Sequence, residues 1–423
     1  MVADLGRFDT IADVLRHHGR TRPGRTAIHF GDQRLTYGEL DARANGVANA
    51  LIAAGAGPHA RIAILVSNCP TYFEIWLGAL KANVVLVPIN ARLQPAEMVA
   101  LVNDAQAVLL FAGAEFYPLI DAVAATLTTV RRVIAVDGNH PRWPAYSRWA
   151  EEHAGDDPGL PLKTSDCAVQ FYTDDSRRHP KGVQISHANL LAMLKAAFVH
   201  YGDWRDDDVS IVCMPLLHYG GTGWALIALA GGAECVLPRE FDAAEVLRLI
   251  EVHGVTKAFF ISYMILQMLQ APTCATTDLS SLDFVVYGGP LTLELLARAL
   301  ATFGCPVAQV YGVTETCGAF TCLPPQDHRA EAGERLKSCG RAIRDIEIRI
   351  VDGRGRVLAP GQVGEIICRG PRIMLGYWNL PDLTANVIRD GWYHSGESGY
   401  LDADGYLYRF DSSWKSMREY WGI

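Results

Sequence analysis

No stretch of the 423-residue chain is a long, uninterrupted apolar run of the kind that spans a bilayer. The first residues, Met1 to Thr10, carry charges and have no apolar signal-peptide core. These two absences predict a soluble, cytoplasmic protein. An excess of positive charge is missing as well. The 38 Lys and Arg stand against 46 Asp and Glu, a net charge of −8, which argues against a nonspecific grip on nucleic acid. None of the ten cysteines forms a CxxC pair, and the nearest two, Cys317 and Cys322, have no recognised metal spacing. They read as reduced thiols filling the core. His17 and His18 are neighbours, but there is no HExxH, so no metal site made wholly of protein ligands is expected. Internal repeats and low-complexity tracts are also lacking.

What remains is a balanced globular composition, half hydrophobic and a fifth charged, long enough to bury a sizeable core in more than one subdomain. Thr10 to Asp13 and Thr36 to Glu39 each have the form of a capping box opening an apolar-periodic stretch. The second stretch places Leu40, Val47, Ala48 and Leu51 on one face and stops near Gly55. Short apolar runs recur at Arg61–Val66, Val84–Ile89, Ala107–Ala112, Ala168–Thr173, Ile211–Pro215, Lys257–Ile261, Phe284–Gly289 and Val307–Gly312. They predict buried parallel strands with helices between them, an α/β class. After about Leu336, Glu347–Asp352 and Gly364–Gly370 look like strands joined by Gly- and Pro-rich turns, which predicts a β-rich subdomain. Ser412 to Ile423 mixes Trp414, Tyr420 and Trp421 with charges and reads as the start of a further domain rather than a finishing helix.

Four stretches carry candidate chemistry. Tyr172–His187 holds a short loop followed by Pro180-Lys181-Gly182-Val183. Met214–Trp224 holds His218 and then Gly220, Gly221 and Gly223. Tyr311–Glu315 reads YGVTE, and Gly391–Tyr400 reads GWYHSGESGY. Three of the four follow expected strands, and in an α/β sheet ligands bind beyond the carboxyl ends of strands. Taken singly, each has a plainer explanation: a turn, a structural histidine, a surface carboxylate.

Taken together and in order, they resemble the superfamily of acyl-CoA ligases, peptide-synthetase adenylation domains and luciferases. LTYGEL at Leu35–Leu40, LGALKAN at Leu77–Asn83 and VPINARL at Val87–Leu93 are similar to its opening region. MPLLH at Met214–His218, VYGVTE at Val310–Glu315, GEIICRG at Gly364–Gly370 and GYWN at Gly376–Asn379 are similar to its later core motifs. The resemblance implies the large N-terminal domain of the adenylate-forming fold over 1–411. That domain would comprise two sheet-and-helix subdomains to about 335 and a β-rich subdomain over about 336–411. Residues 412–423 would begin a hinge whose C-terminal lid is absent. It implies two reactions: ATP and a carboxylate give an acyl-adenylate, and a thiol, usually CoA, then takes the acyl group.

Residue by residue, the resemblance implies that Tyr311 packs on adenine beside Gly288, Gly289, Pro290, Val310 and Gly312. It implies that Thr314 contacts a phosphate oxygen, Glu315 is a Mg²⁺ carboxylate, and Glu397 stands where relatives hold the ribose with Asp. His218 would gate the acyl carbonyl, with Tyr219, Gly220, Gly221, Tyr287 and Val313 around the acyl group. Lys415 would be a catalytic residue at the hinge. The glycines after His218 are expected to leave room for a bulky or rigid apolar acid.

Two stretches depart from the resemblance. The phosphate loop of such enzymes is T-S-G-T-T-G-x-P-K-G, whereas this chain has Thr173, Asp174, Asp175, Ser176, Arg177, Arg178, His179, Pro180 and Lys181. Glycines let backbone N–H groups face an anion, and two aspartates repel a triphosphate. The arginine expected to touch ribose and phosphate is replaced by Ser412. These departures predict a non-adenylating ligase that takes acyl-AMP from a separate adenylating enzyme and uses only CoA. An ordinary synthetase using ATP and Mg²⁺ is the alternative, supported by Lys181, Thr314 and Glu315. An adenylate-holding protein without turnover is a third reading. A hydrolase is set aside: His218-Tyr219-Gly220-Gly221 is faintly like an esterase oxyanion loop, but there is no GxSxG nucleophile elbow.

Overall fold

The structure, a computed structural model, describes residues 5–173 and 181–410. Both expected capping boxes form. The Thr10 N–H donates to the Asp13 carboxylate at 2.9 Å ahead of helix Ile11–Thr21. The Thr36 N–H donates to Glu39 at 2.8 Å, and the Glu39 N–H returns to Thr36 Oγ1 at 3.2 Å, ahead of helix Tyr37–Ala53.

Among the described residues, three sheets form. The seven-stranded sheet has the order Gly376–Tyr377, Lys181–Ser186, Cys167–Thr173, Val85–Pro88, Arg61–Leu65, Ala107–Ala112, Arg132–Ala135. Its last five strands are parallel, Lys181–Ser186 runs antiparallel to them, and Gly376–Tyr377 pairs antiparallel with Lys181–Ser186 at the edge. The nine-stranded sheet has the order Arg341–Ala342, Gly318–Leu323, Val307–Val313, Phe284–Gly288, Lys257–Ile261, Val209–Ile211, Glu234–Val236, Thr26–Phe30, Gln33–Thr36. Its six strands from Val307–Val313 to Thr26–Phe30 are parallel.

Strand alternation sorts the core into layers. Ile62 and Ile64 of one sheet and Ala308 and Val310 of the other join a common apolar cluster with helices Tyr37–Ala53, Pro70–Lys81, His187–His200 and Tyr219–Gly231. Ala63 and Leu65 face the other way, onto helices Pro95–Asp104 and Tyr117–Val123. Ile211 and Val285 likewise face helices Ala243–His253, Ser262–Gln270 and Leu293–Phe303. The result is helices, sheet, helices, sheet, helices, an α/β architecture as expected. All ten cysteines are free. Cys274 and Cys305 are half-buried and the rest buried.

A third sheet, of five strands, lies late in the chain: Glu347–Val351, Gly364–Arg369, Trp392–Leu401 and Ile388–Arg389 in order, with Leu407–Arg409 also paired to Trp392–Leu401. Two short strands of this region belong elsewhere. Arg341–Ala342 edges the nine-stranded sheet, and Gly376–Tyr377 edges the seven-stranded one. One expected strand is displaced. The run Ile211–Pro215 contributes only its first residue to strand Val209–Ile211. Beyond a last ladder bond from Val212, the Asn68 side chain takes over the backbone, donating to Met214 O and accepting from Leu216 N at 2.8 Å. Pro215 has no N–H to offer a neighbouring strand. No described helix is long and apolar enough to cross a membrane.

Candidate active site

Three adjacent parallel strands, Lys257–Ile261, Phe284–Gly288 and Val307–Val313, end at the same rim of the nine-stranded sheet. Gly288 closes the second strand, and its carbonyl accepts from Ser262 Oγ at 3.2 Å. Gly289 has φ +89°, a left-handed conformation that a side chain would strain. Its carbonyl accepts from Gln309 Nε2 at 3.2 Å, so this turn, which leads into Pro290, is tied to the neighbouring strand. Gly312 is required by close approach: a Cβ there would lie 2.1 Å from the Gly318 carbonyl oxygen of the antiparallel neighbour.

Tyr311 projects from the third strand, half-buried, with its ring edge-on to Phe320 at 4.9 Å. The Arg409 guanidinium lies 4.6 Å from the ring centroid. The same guanidinium donates to Glu397 at 2.9 Å, because Gly399 and Arg409 are register partners in the five-stranded sheet. Arg409 thus joins the candidate adenine ring to the candidate ribose carboxylate. The chemistry of the sequence did not single it out. Its only signal was a cation two residues before Asp411.

Val313 leads into the turn Thr314–Thr316, held by Thr316 Oγ1 accepting from Val313 N at 3.2 Å. Thr314 and Glu315 are buried. Burial raises the Glu315 pKa, against a hydrogen bond from the Tyr377 hydroxyl at 2.8 Å and the field of Lys181. The Lys181 ammonium stands 5.6 Å from the Tyr377 ring. Lys181 is in register with Thr173 across an antiparallel pair, so both ends of the expected phosphate loop meet at the edge of the seven-stranded sheet. The loop residues Asp174, Asp175, Ser176, Arg177 and Arg178 lie outside the described residues, as does Lys415. Beneath the turn, the buried Arg372 side chain donates to the carbonyls of Cys317 and Ala319. Tyr377 and Arg372 had no role assigned from sequence, although Tyr377 stands inside the GYWN motif.

His218 is the N-cap of helix Tyr219–Gly231, and its Nδ1 accepts from the Gly220 N–H at 3.1 Å. That bond places the imidazole proton on Nε2. Desolvation pushes its pKa down to about 4, so the ring is neutral at pH 7 and serves as a hydrogen-bond donor. The expectation that the following glycines hollow out an acyl pocket is corrected for Gly221. A Cβ there would meet the Pro215 carbonyl oxygen at 2.2 Å, so its smallness serves a tight backbone approach. At Gly220 a Cβ would meet Met214 at 3.4 Å and Phe259 at 3.5 Å, ordinary contact distances. Phe259 also faces Gly288, which makes this half-buried ring the wall between the two, another residue sequence reasoning missed. Tyr219 is buried and donates to Cys317 O at 2.8 Å, joining the His218 helix to the turn after Thr316. Tyr287 is not brought to Tyr219 and Val313. Its side chain faces the opposite cluster, and its hydroxyl pairs with His328 Nε2 at 3.0 Å, because strand alternation sends it to the other face of the sheet.

Residues 15–378 match the AMP-binding enzyme family. The chain is 34% identical over 407 residues to the fatty acid–[acyl-carrier-protein] ligase ScoC of Streptomyces coeruleorubidus, covering 95% of this chain and 77% of that protein. It is 34% identical over 396 residues to the feruloyl-CoA synthase of an Amycolatopsis species, covering 93% and 76%. Among solved structures, the inhibitor-bound N-terminal domain of FACL13 from Mycobacterium tuberculosis superposes with a TM-score of 0.89 at 27% identity, covering 96% of this chain and all of that one (100%).

Proposed function

The chain belongs to the AMP-binding enzyme family and is an acyl-CoA ligase, and from that premise we propose that it is of the ATP-dependent kind. It activates a carboxylic acid as the acyl-adenylate and then transfers the acyl group to the thiol of CoA. The observation that carries this reading is the convergence of Lys181, Tyr377 and Glu315 where the Thr173–Lys181 strand pair closes. A cation and a carboxylate at the end of a phosphate loop are of use while pyrophosphate is being expelled, and of little use in thioester formation.

In the first step a carboxylate oxygen attacks the α-phosphorus, the bond to the bridging oxygen breaks, and pyrophosphate leaves with its electron pair. Tyr311 stacks the base, Glu397 takes the ribose hydroxyls with Arg409 holding its other side, and Lys181 and Thr314 hold phosphate oxygens. Glu315 offers the hard oxygen donor that Mg²⁺ requires, so it is the residue that would hold that ion. When bound, Mg²⁺ offsets charge on the leaving phosphates. His218 donates its Nε2–H toward the acyl oxygens. In the second step the thiolate sulfur attacks the acyl carbon, the C–O bond to AMP breaks, and AMP leaves with the pair. The same reading includes the divisions at about 335 and at 411, and Lys415 as a hinge residue.

One observation favours a second reading, thioester formation alone from an adenylate that another ligase supplies: the Asp- and Arg-rich composition of Asp174–Arg178. The relatives' names speak for the first. Pyrophosphate exchange into ATP, driven by a panel of free fatty and aromatic acids, separates the two. Exchange with at least one acid is expected. Thioester formation from synthetic acyl-adenylate without any exchange would move the assignment to the second reading, and silence in both assays would overturn both.

A further inference from the structure

Away from that rim, at the far side of the nine-stranded sheet, three metal-ligating side chains converge. His29 lies on strand Thr26–Phe30, Glu234 on the adjacent parallel strand Glu234–Val236, and His253 is the last residue of helix Ala243–His253. One ligand atom of each lies within 4.8 Å of both others. His29 Nδ1 is 3.3 Å from Glu234 Oε1, and the two imidazole rings meet edge to face at a centroid distance of 4.2 Å.

The tautomer of His29 is constrained. Its Nε2 lies 3.0 Å from the Gly31 carbonyl oxygen, which can only accept, so Nε2 carries the proton. Nδ1 is left to face a carboxylate oxygen. Two lone pairs do not face each other at that distance without a cation between them, whether a proton or a metal ion. An imidazole anchored through its other nitrogen by a backbone carbonyl is how metal-binding histidines are held. The third donor comes from a helix C-terminus, whose unpaired carbonyls favour positive charge. The nearest cations are Arg34, the cross-strand partner of His29, and Arg248, which Glu245 holds at 2.7 Å. Glu234 and His253 are half-buried, so an ion can reach the site from solvent.

We propose that His29, Glu234 and His253 form a site for a single divalent transition-metal ion of the zinc type, fastening the helix end to the two strands. Two imidazoles and one carboxylate with an open position are a donor set that suits Zn²⁺, Co²⁺ or Ni²⁺ and not Mg²⁺ or Ca²⁺. Donors around a tetrahedral zinc stand roughly 3.3 Å apart, so closure on the ion draws these side chains together by about 1 Å. None of the three residues shares a motif with another, so no spacing in the sequence announces them.

The test is titration of the chelator-treated protein with Co²⁺ and with Zn²⁺. A visible d–d band of tetrahedral or five-coordinate Co²⁺ is expected to saturate at one equivalent, to be displaced by Zn²⁺, and to accompany a rise in melting temperature. His29→Asn and His253→Asn should each weaken Co²⁺ binding about tenfold or more, while their metal-free circular dichroism and melting stay near those of the parent. A parent protein without the band, or a band that persists undiminished in both variants, overturns the proposal. If His29→Asn fails to fold, the more exposed His253→Asn decides alone.

Discussion

Arg409 touches both the aromatic ring and the carboxylate that the reading above gives to the nucleoside. Glu397 alone would repel a phosphate-bearing ligand. Paired with a guanidinium at 2.9 Å, it presents hydrogen-bond acceptors without a net charge. Arg409→Ala should therefore weaken AMP binding about tenfold, the size of one charge-assisted hydrogen bond. Calorimetry with AMP checks this. Equal or tighter binding would mean that the guanidinium competes with the base for the Tyr311 ring. From the sequence, Tyr311, Glu315 and Glu397 stand out as candidates because each sits in a motif with fixed spacing. Arg409 was not, because its meaning comes from the register of two strands, Gly399 against Arg409, which a linear pattern does not display. Gly221 misled for a related reason. A glycine needed by the carbonyl of Pro215 and a glycine lining a pocket are the same letter.

The first three long helices are joined by charges as well as by apolar contact. Lys81, fully buried near the end of helix Pro70–Lys81, donates to Asp41 and Asn45 of helix Tyr37–Ala53 and lies 3.1 Å from Asp157. Arg16 of helix Ile11–Thr21 reaches the same Asp157 at 2.8 Å. Burial pushes the Asp157 pKa up. Arg16, the Gly159 N–H and Lys81 outweigh it and hold the carboxyl well below its usual range. A carboxyl depressed in the folded state stabilises above its unfolded pKa of ~3.9, and the contribution is lost as pH falls through the folded value. Asp157→Asn should cost about 1–2 kcal/mol at pH 7, reduced by its partial exposure. The gap from the parent should begin to narrow below pH ~4 and close only as pH falls through the folded value, so the second measurement belongs near pH ~2. Urea melts at the two pH values measure it, and a gap that is the same at both would dispose of the electrostatic account. The helices themselves were readable from capping boxes and periodicity. The strand at Ile211–Pro215 was misplaced because Asn68, far away in sequence, captures its backbone.

Over the whole molecule, three desolvated histidines, the buried His18 and His187 and the half-buried His218, share one titration window. Desolvation lowers His18, His187 and His218 from 6.5 to about 4. Each stays neutral in the fold while the unfolded chain takes up a proton, so stability present above pH 6.5 drains as pH falls toward 4. The slope is at most ~1.4 kcal/mol per pH unit for each ring. The melting temperature should decline across that window, and His187→Asn should make the decline shallower. A flat profile between those values would contradict the desolvation of these rings. The layered α/β order was legible because buried parallel strands leave continuous apolar runs. The meeting of three sheets at one rim was not, since it is set by packing between elements far apart in the chain.

The strand Gly376–Tyr377 is only two residues long, yet it crosses from the five-stranded-sheet stretch of the chain to pair with Val183 and Gln184 and sets the Tyr377 hydroxyl on Glu315. Side chains alternate along a strand, so inserting or deleting one residue between Gly370 and Gly376 would turn Tyr377 to the opposite face. Substitutions at its exposed positions, Pro371 and Leu375, leave the pairing in place because it is made by backbone, whereas the buried Arg372 and Met374 are held by their side chains. Inheritance along this stretch is therefore a matter of length as well as of spelling: descendants of this gene can drift at Pro371 and Leu375, but a lost or gained codon breaks the stitch.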